Sequence, residues 1–100
     1  MPAYLIVTAH VDDRDAFMRG YAPAAGALVE RTGGKYLLRA PGAIALEGRT
    51  DDGASIVVSE WEDMAALRAF WDSEDYARIR ALREGIARCE VMAVETPPAS

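Results

Sequence analysis

The sequence predicts an α+β fold in which a four-stranded antiparallel sheet carries helices on one face. Three observations predict it: segments with alternating β-branched and aromatic residues, helix-start signals between them, and the order of these elements along the chain. The order is β-α-β-β-α-β, with the second helix in two pieces. A chain of 100 residues suffices for one domain and is too short for two independent cores.

The first strand and first helix occupy the start of the chain. Ala3–Val11 is rich in alternating β-branched and aromatic residues, which favours a strand. Asp12 and Asp13 follow it and can cap a helix. Apolar side chains then recur about every four residues, which is typical of a helix that ends at Gly33–Gly34: Phe17, Tyr21, Ala25 and Leu28. Pro23 predicts a kink or split of this helix near residues 20–22.

Two more strands follow. Lys35–Ala40 is predicted as the second strand, which the turn or bulge signal Pro41–Gly42 interrupts. Extended structure is expected to resume over Ala43–Glu47, with a hairpin return at Asp51–Gly53. Ser55–Trp61 is predicted as the third strand.

The second helical region is predicted in two pieces. Asp63 caps the first piece, whose inward residues are Met64, Leu67, Phe70 and Trp71. Ser73 caps the second piece, whose apolar stripe is Tyr76, Ile79, Leu82 and Ile86. Cys89–Glu95 is predicted as the last strand. Residues 1–96 thus form a single domain, and residues 97–100 are expected to be a disordered tail.

Composition and charge exclude several classes of function. The chain has 11 Lys and Arg against 16 Asp and Glu, and its net charge of −5 argues against nucleic-acid and anionic-membrane partners. A single cysteine rules out an internal disulfide, and a single histidine argues against a His-rich metal site. No metal or cofactor is expected. No secretory signal and no apolar run of about 20 residues is present, so a cytoplasmic location is expected.

The β-α-β-β-α-β order is that of a ferredoxin-like unit, which leaves one face of the sheet uncovered. In the first strand Leu5, Val7, Ala9 and Val11 are predicted to face the helices, and Tyr4, Ile6, Thr8 and His10 the open side. In the third strand Ile56, Val58 and Glu60 are predicted to face the open side. Such a face is too apolar for water, and we expect it to pair with a second copy in a homodimer.

Several motifs occur in order along the chain: Tyr4, Gly33-Gly34-Lys35-Tyr36, Leu38-Arg39, Glu47-Gly48, the strand from Ile56 to Trp61, and the segment from Trp71 to Tyr76 leading to Arg83. Together they resemble the DUF1330 family, a family defined as a domain of unknown function. The sequence departs from the family pattern at Glu74, where the family has Pro, at Trp61, where it has Phe, and at Pro41. The resemblance implies a ferredoxin-like fold of the dimeric α/β-barrel superfamily and implies no activity.

Two open-face residues are candidates for catalysis. His10 is the side chain whose ordinary pKa lies nearest neutrality, so it is a candidate general base; the alternative is a hydrogen-bonded histidine at a strand end or dimer seam. Glu60 needs a partner on the sheet. The strand order predicts that Glu60 lies near Tyr4 and far from His10. Arg39 is the other candidate partner of Glu60, as a purely structural ion pair or as part of a site.

A second candidate site lies on the last helix. Tyr76 and Arg83 are seven residues apart and share a helix face, and Arg80 lies one turn from Tyr76. With Ser73 and Trp71 they are candidates for a carboxylate-binding corner. The alternative is capping by Ser73, packing by Tyr76 and an ion pair at Arg83.

Three classes of function follow. The first is a homodimeric module that binds a small metabolite, with acidic ones among the candidates. The second is a cofactor-independent enzyme, monooxygenase-like or isomerase-like, that uses a cavity between sheet and helices. The third is a structural role that needs only the dimer. A polar enclosed pocket would favour the first two over the third.

Overall fold

A computed structural model describes residues 1–48 and 53–97. Its elements are β1 (Ala3–Val11), α1 (Arg14–Arg19), α2 (Tyr21–Arg31), β2 (Lys35–Ala40), β3 (Ser55–Trp61), α3 (Met64–Trp71), α4 (Glu74–Ala81) and β4 (Ala87–Glu95). The predicted fold class is confirmed, and β4 begins two residues before the predicted Cys89. The expected tail falls mostly on residues 98–100, which lie outside the described residues.

The sheet is antiparallel throughout and has the strand order β2-β3-β1-β4. The central strand β1 pairs with β3 on one side and β4 on the other. Val7 lies opposite Val57 of β3 and opposite Val91 of β4. Residues that face each other across such pairs share a face of the sheet, so the register divides the side chains into two sets.

The helices cover the face predicted for them. Leu5 and Ala9 are buried on the helix side, together with Ser59 and Trp61 of β3. The core joins these strands to the helices through Leu28, Val29, Leu67, Phe70 and Tyr76. Aromatic rings form its centre, since Phe70 lies 4.8 Å from Trp61 and 4.7 Å from Tyr76 between ring centroids.

Three short polar side chains begin the helices, as their positions in the sequence predict. Asp13 accepts from the Ala16 amide at 3.1 Å, and Asp63 accepts from the Ala66 amide at 2.8 Å. Ser73 caps α4 in the same way. The predicted split of the first helix occurs at Gly20, which ends α1 and begins α2. Pro23 therefore lies in the first turn of α2. Backbone N–H groups in the first turn have no acceptor within the helix, so the missing N–H of proline costs no helical hydrogen bond.

Two predicted details are wrong. Ala43–Glu47 forms no strand. After Pro41–Gly42, Ala43 bonds to the two residues that precede β3, donating to Ala54 O at 2.9 Å and accepting from Gly53 N at 2.7 Å. Two residues of the predicted hairpin return, 51 and 52, lie outside the described residues. Leu82 does not belong to the buried stripe of α4. The helix ends at Ala81, and Leu82 is 47% exposed.

A β-bulge in β2 changes which side chains face the helices. Tyr36 lies opposite Ser59, but Leu38 lies opposite Val58, so Leu37 is an extra residue in the pairing. After the bulge Leu38 faces the open side, and Arg39, opposite Val57, faces the helix side. The bulge therefore turns Arg39 toward the helices.

In the described part of the chain, we find no helix with the length and apolar character that a bilayer span requires.

Candidate functional site: a cavity between the sheet and the helices

A cavity of about 220 Å³ lies between the sheet and the paired helices α1 and α2. The helix-side residues of the central strands form its floor, among them Val7, Ala9 and Val57. Phe17 and Tyr21 contribute aromatic rings from the helices, with centroids 5.1 Å apart. Most of the remaining lining is apolar, which is typical of sites for small organic molecules.

All charged side chains among the described residues of the lining are arginines: Arg14, Arg39 and Arg83. No Asp or Glu is among the described lining residues. This contrasts with the chain as a whole, whose net charge is −5. The cavity is thus a locally cationic region in an acidic protein, a distribution that favours an anionic group inside it.

Of the three arginines, Arg83 has the most deeply buried guanidinium group. It follows α4, and its guanidinium carbon lies 5.2 Å from the centroid of the Tyr21 ring, a cation–π contact. Its Nη1 is fully buried and has no hydrogen-bond partner among the described residues. A buried charged donor without a partner is energetically costly, so this nitrogen requires a hydrogen-bond acceptor that no described residue supplies.

Tyr21 and Tyr76 form a hydrogen-bonded phenol pair in the same cavity wall, with 2.6 Å between their hydroxyl oxygens. Burial, followed by the neighbouring Tyr76 hydroxyl, raises the pKa of Tyr21 well above its ordinary value. The Arg83 charge opposes that rise. Tyr21 is therefore a neutral phenol at physiological pH and acts as a hydrogen-bonding group.

Cys89 adds a thiol to the lining on the β4 side, next to Arg83. Burial raises the pKa of this thiol, and the Arg83 guanidinium only partly opposes the rise. The thiol is thus neutral at physiological pH and does not compensate the charge of Arg83. Together, Arg83, Cys89 and the phenol pair make one end of the cavity polar.

Arg39 lies on the β2 side of the cavity, stacked at 4.5 Å over the ring of Tyr36. Burial raises the pKa of Tyr36, and the Arg39 charge partly offsets this. The predicted ion pair between Arg39 and Glu60 is wrong. The bulge at Leu37 places Arg39 on the helix side, whereas Glu60 is on the open side.

On the open face, Tyr4 donates a hydrogen bond of 2.9 Å to Glu60, as their predicted proximity suggests. This bond is the main reason that the pKa of Tyr4 is raised. Lys35 of β2 lies opposite Glu60. His10 lies at the other end of β1, opposite Arg88, so the predicted separation of His10 and Glu60 is confirmed. Neither His10 nor Glu60 lines the cavity.

The structure places only some residues of the predicted carboxylate-binding corner in the cavity. Tyr76 and Arg83 line the cavity, but Ser73 and Trp71 do not. The Ser73 hydroxyl accepts from the Tyr76 amide at 3.0 Å and donates to Phe70 O at 2.8 Å, which is a capping role. Trp71 packs on the outer side of Tyr76, with Arg80 stacked 5.0 Å above its ring.

Sequence reasoning did not identify Tyr21, Arg14 or Cys89 as site residues. The signal for Tyr21 is a tyrosine at an apolar helix position where phenylalanine would fill the same space. A buried tyrosine hydroxyl there implies a hydrogen-bond partner. No comparable signal exists for Arg14 and Cys89, because only the packing of α1 and β4 brings them to one cavity.

Among residues 1–48 and 53–97, no group of three or more His, Cys, Asp and Glu side chains is arranged to hold a metal ion.

Solved structures with the same fold include proteins of unknown function and oxygenases. RPA0582 from Rhodopseudomonas palustris is 16% identical, with a TM-score of 0.76 over 98% of this chain and 84% of that chain. A dimeric ferredoxin-like protein from Jannaschia sp. CCS1 is 16% identical, with a TM-score of 0.75 over 96% of this chain and 100% of that chain. SnoaB, a cofactor-independent oxygenase from Streptomyces nogalater, is 15% identical, with a TM-score of 0.69 over 98% of this chain and 95% of that chain. At these identities the likeness concerns the fold alone.

No curated protein matches the chain. A family model does match, over residues 2–97, and it agrees with the resemblance carried by the motifs around Gly33–Tyr36 and Trp71–Tyr76. The chain therefore belongs to the DUF1330 family, a domain of unknown function.

Proposed function

We propose that the protein is a homodimeric cytoplasmic module in which each protomer binds a small, mainly apolar metabolite between its sheet and helices. The cavity of about 220 Å³ carries this proposal. An apolar cavity of about 150 Å³ in a protein core takes up benzene, so this one has room for a ring with a substituent. A purely structural protein of this size gains stability by filling such a space, because each missing contact in the core is destabilising.

The open face of the sheet supports the homodimer. Ile6, Ile56 and Val58 form its apolar centre, and exposed apolar side chains extend it on the outer strands, with Met92 59% and Val94 42% exposed. A contiguous apolar patch of this kind usually marks an interface. The structurally similar Jannaschia protein is described as dimeric, which agrees with this expectation.

Binding is tested with a matched pair of variants on α2. Ala22 lines the cavity, and Ala27 is exposed on the same helix. We expect small aromatic compounds such as indole to raise the melting temperature of the wild type. Ala22→Phe should abolish this shift by filling the cavity, whereas Ala27→Phe should retain it.

NMR spectroscopy of the wild type provides a test that does not depend on whether the variants fold. The same compounds should perturb the amide NMR signals of cavity residues such as Val7 and Val57 and leave the open face unchanged. A library of small aromatic and aliphatic compounds that produces neither a thermal shift nor these perturbations would refute the proposal.

The second candidate is a cofactor-independent enzyme, monooxygenase-like or isomerase-like, that uses the same cavity. Two observations favour it: the fold likeness to the oxygenase SnoaB, and the phenol pair of Tyr21 and Tyr76 inside an apolar cavity. Incubation of each bound compound with the protein in air, followed by mass spectrometry, distinguishes the candidates. A product that forms only with the wild type, and not with Ala22→Phe, would establish turnover.

A further inference from the structure

We infer that the cavity selects ligands that carry a carboxylate, which would accept hydrogen bonds from Arg83 Nη1 and from the free hydroxyl of the Tyr21–Tyr76 pair. The ligand class is a small aromatic or branched monocarboxylate that enters with its anionic group toward the β4 side. This inference rests on the proposed function, because it specifies what the same cavity binds.

The first step is the state of Arg83. Its Nη1 is removed from solvent without a partner among the described residues, and the adjoining Tyr21 ring contacts the guanidinium only through its π face. A carboxylate oxygen would supply the missing acceptor in a charge-assisted hydrogen bond, the strongest type available to a guanidinium. A neutral ligand would leave most of the cost of burying this charge uncompensated.

The second step is the phenol pair. Two hydroxyl groups 2.6 Å apart share one hydrogen, so the accepting hydroxyl keeps its own hydrogen for another acceptor. Among the described residues, neither phenol bonds to any group besides the other phenol. Both tyrosines and Arg83 line the same cavity, so the remaining O–H can serve the second oxygen of a carboxylate held by Arg83.

The third step is the charge around the cavity. The described lining carries Arg14, Arg39 and Arg83 and no carboxylate, so no group of the described chain competes for the position of the anion. Arg14 and Arg39 are largely exposed, and their charges can attract an anion before it enters. Cys89 beside Arg83 is a neutral thiol and leaves the guanidinium charge in place.

The fourth step is size and polarity. A volume of about 220 Å³ accommodates a ring and a carboxylate but excludes nucleotides and other large anions. Phe17 and Val57 offer apolar contacts for the body of the ligand. The cavity thus combines one polar end with an apolar remainder, which matches an amphipathic monocarboxylate.

The test compares benzoate and naphthoate with their neutral isosteres benzamide and naphthamide, by calorimetry and thermal shift on the full chain. We expect each carboxylate to bind the wild type about tenfold more tightly than its amide. Arg83→Met should remove this preference and leave amide binding nearly unchanged. Arg83→Lys should restore part of it, because the charge remains but the planar donor geometry is lost. Tyr21→Phe should weaken carboxylate binding several-fold.

Arg78→Met is the matched control, since Arg78 lies on α4 and is exposed but does not line the cavity. It should leave the carboxylate preference intact. On the wild type, naphthoate should also shift the side-chain Nε–H signal of Arg83, a readout that needs no variant to fold.

Four outcomes decide the inference. Equal affinity for carboxylate and amide in the wild type overturns it, and so does a preference that survives Arg83→Met. Binding of indole and amides without binding of any carboxylate overturns it too, while the proposed function stands. Failure of every compound, neutral or anionic, refutes the proposed function and the inference together.

Discussion

Gly34 lies directly against the ring of Trp61 and leaves less room for a Cβ than any other described glycine. A Cβ built at Gly34 would lie 2.6–2.8 Å from three atoms of the indole, closer than such atoms approach in folded proteins. Trp61 is 1% exposed and donates from Nε1 to the Ser59 hydroxyl at 3.0 Å, so the ring is held from both sides. At this position the fold requires glycine for space.

We therefore expect Gly34→Ala to lower the free energy of unfolding by about 1–3 kcal/mol, the usual cost of overpacking a core. Gly26→Ala is the matched control. Gly26 is helical, and its nearest neighbours would lie at ordinary contact distance, 3.7 Å from Tyr36 and 4.0 Å from Arg39. That variant should be neutral or stabilising by about 0.5–1 kcal/mol. Urea unfolding of both variants gives the answer, and equal effects would contradict this account of Gly34.

At the same scale, the candidate site residues differ in how far the sequence could place them. Tyr76 and Arg83 both line the cavity, as their grouping in the sequence suggests, but α4 ends at Ala81 and Arg83 lies in the turn after it, so the predicted shared helix face does not extend to Arg83. Arg39 could not be placed, because its face depends on the extra residue in β2. The Tyr-Leu-Leu-Arg stretch has no glycine or proline to indicate the bulge at Leu37.

At the scale of elements, α4 is positioned by a two-sided cap. Ser73 accepts from Tyr76 N and donates to Phe70 O, which joins the end of α3 to the start of α4. Glu74 and Asp75 add acidic charge to the first turn. The position of α4 in turn sets the position of Tyr76, which is 2% exposed and bonds to Tyr21 of α2.

We expect Ser73→Ala to lower the stability by about 1 kcal/mol through loss of the cap. Ser73→Asp keeps a capping oxygen and adds favourable charge at the helix start, so it should retain most of the stability. Ligand binding at saturating concentration should be equal in the wild type and Ser73→Ala, because Ser73 does not line the cavity. A loss of binding in Ser73→Ala without a loss of stability would instead make Ser73 a binding residue.

At the scale of the whole molecule, the sheet has one face covered by helices and one face without cover from the described chain. Open-face apolar side chains lie side by side across the strands: Leu38, Val58, Ile6 and Met92. A pair of polar residues flanks this row at each end. Glu60 and Tyr4 lie at one end, and His10 and Arg88 lie opposite each other at the other end. Pairing with a second copy would bury the apolar row and leave the polar ends near the rim.

We expect the wild type to have twice the 10.8 kDa mass of the chain in light scattering at micromolar concentration. Val58→Glu places a charge in the centre of the open face and should shift the protein to the monomer. Ala69→Glu, at an exposed position of α3, is the control and should remain a dimer. A monomeric wild type would contradict the proposed homodimer, and a dimeric Val58→Glu would place the interface elsewhere.

The sequence by itself determined the order of elements, the strand bounds of β1 to β3, the helix caps at Asp63 and Ser73, and which face of the sheet is open. These features depend on neighbours along the chain, through alternation in strands and short-range hydrogen bonds at helix starts. Only the tertiary structure decided the content of the cavity. Arg83, Tyr21 and Cys89 meet there because distant segments pack against one sheet face, and Arg39 joins them through the bulge at Leu37.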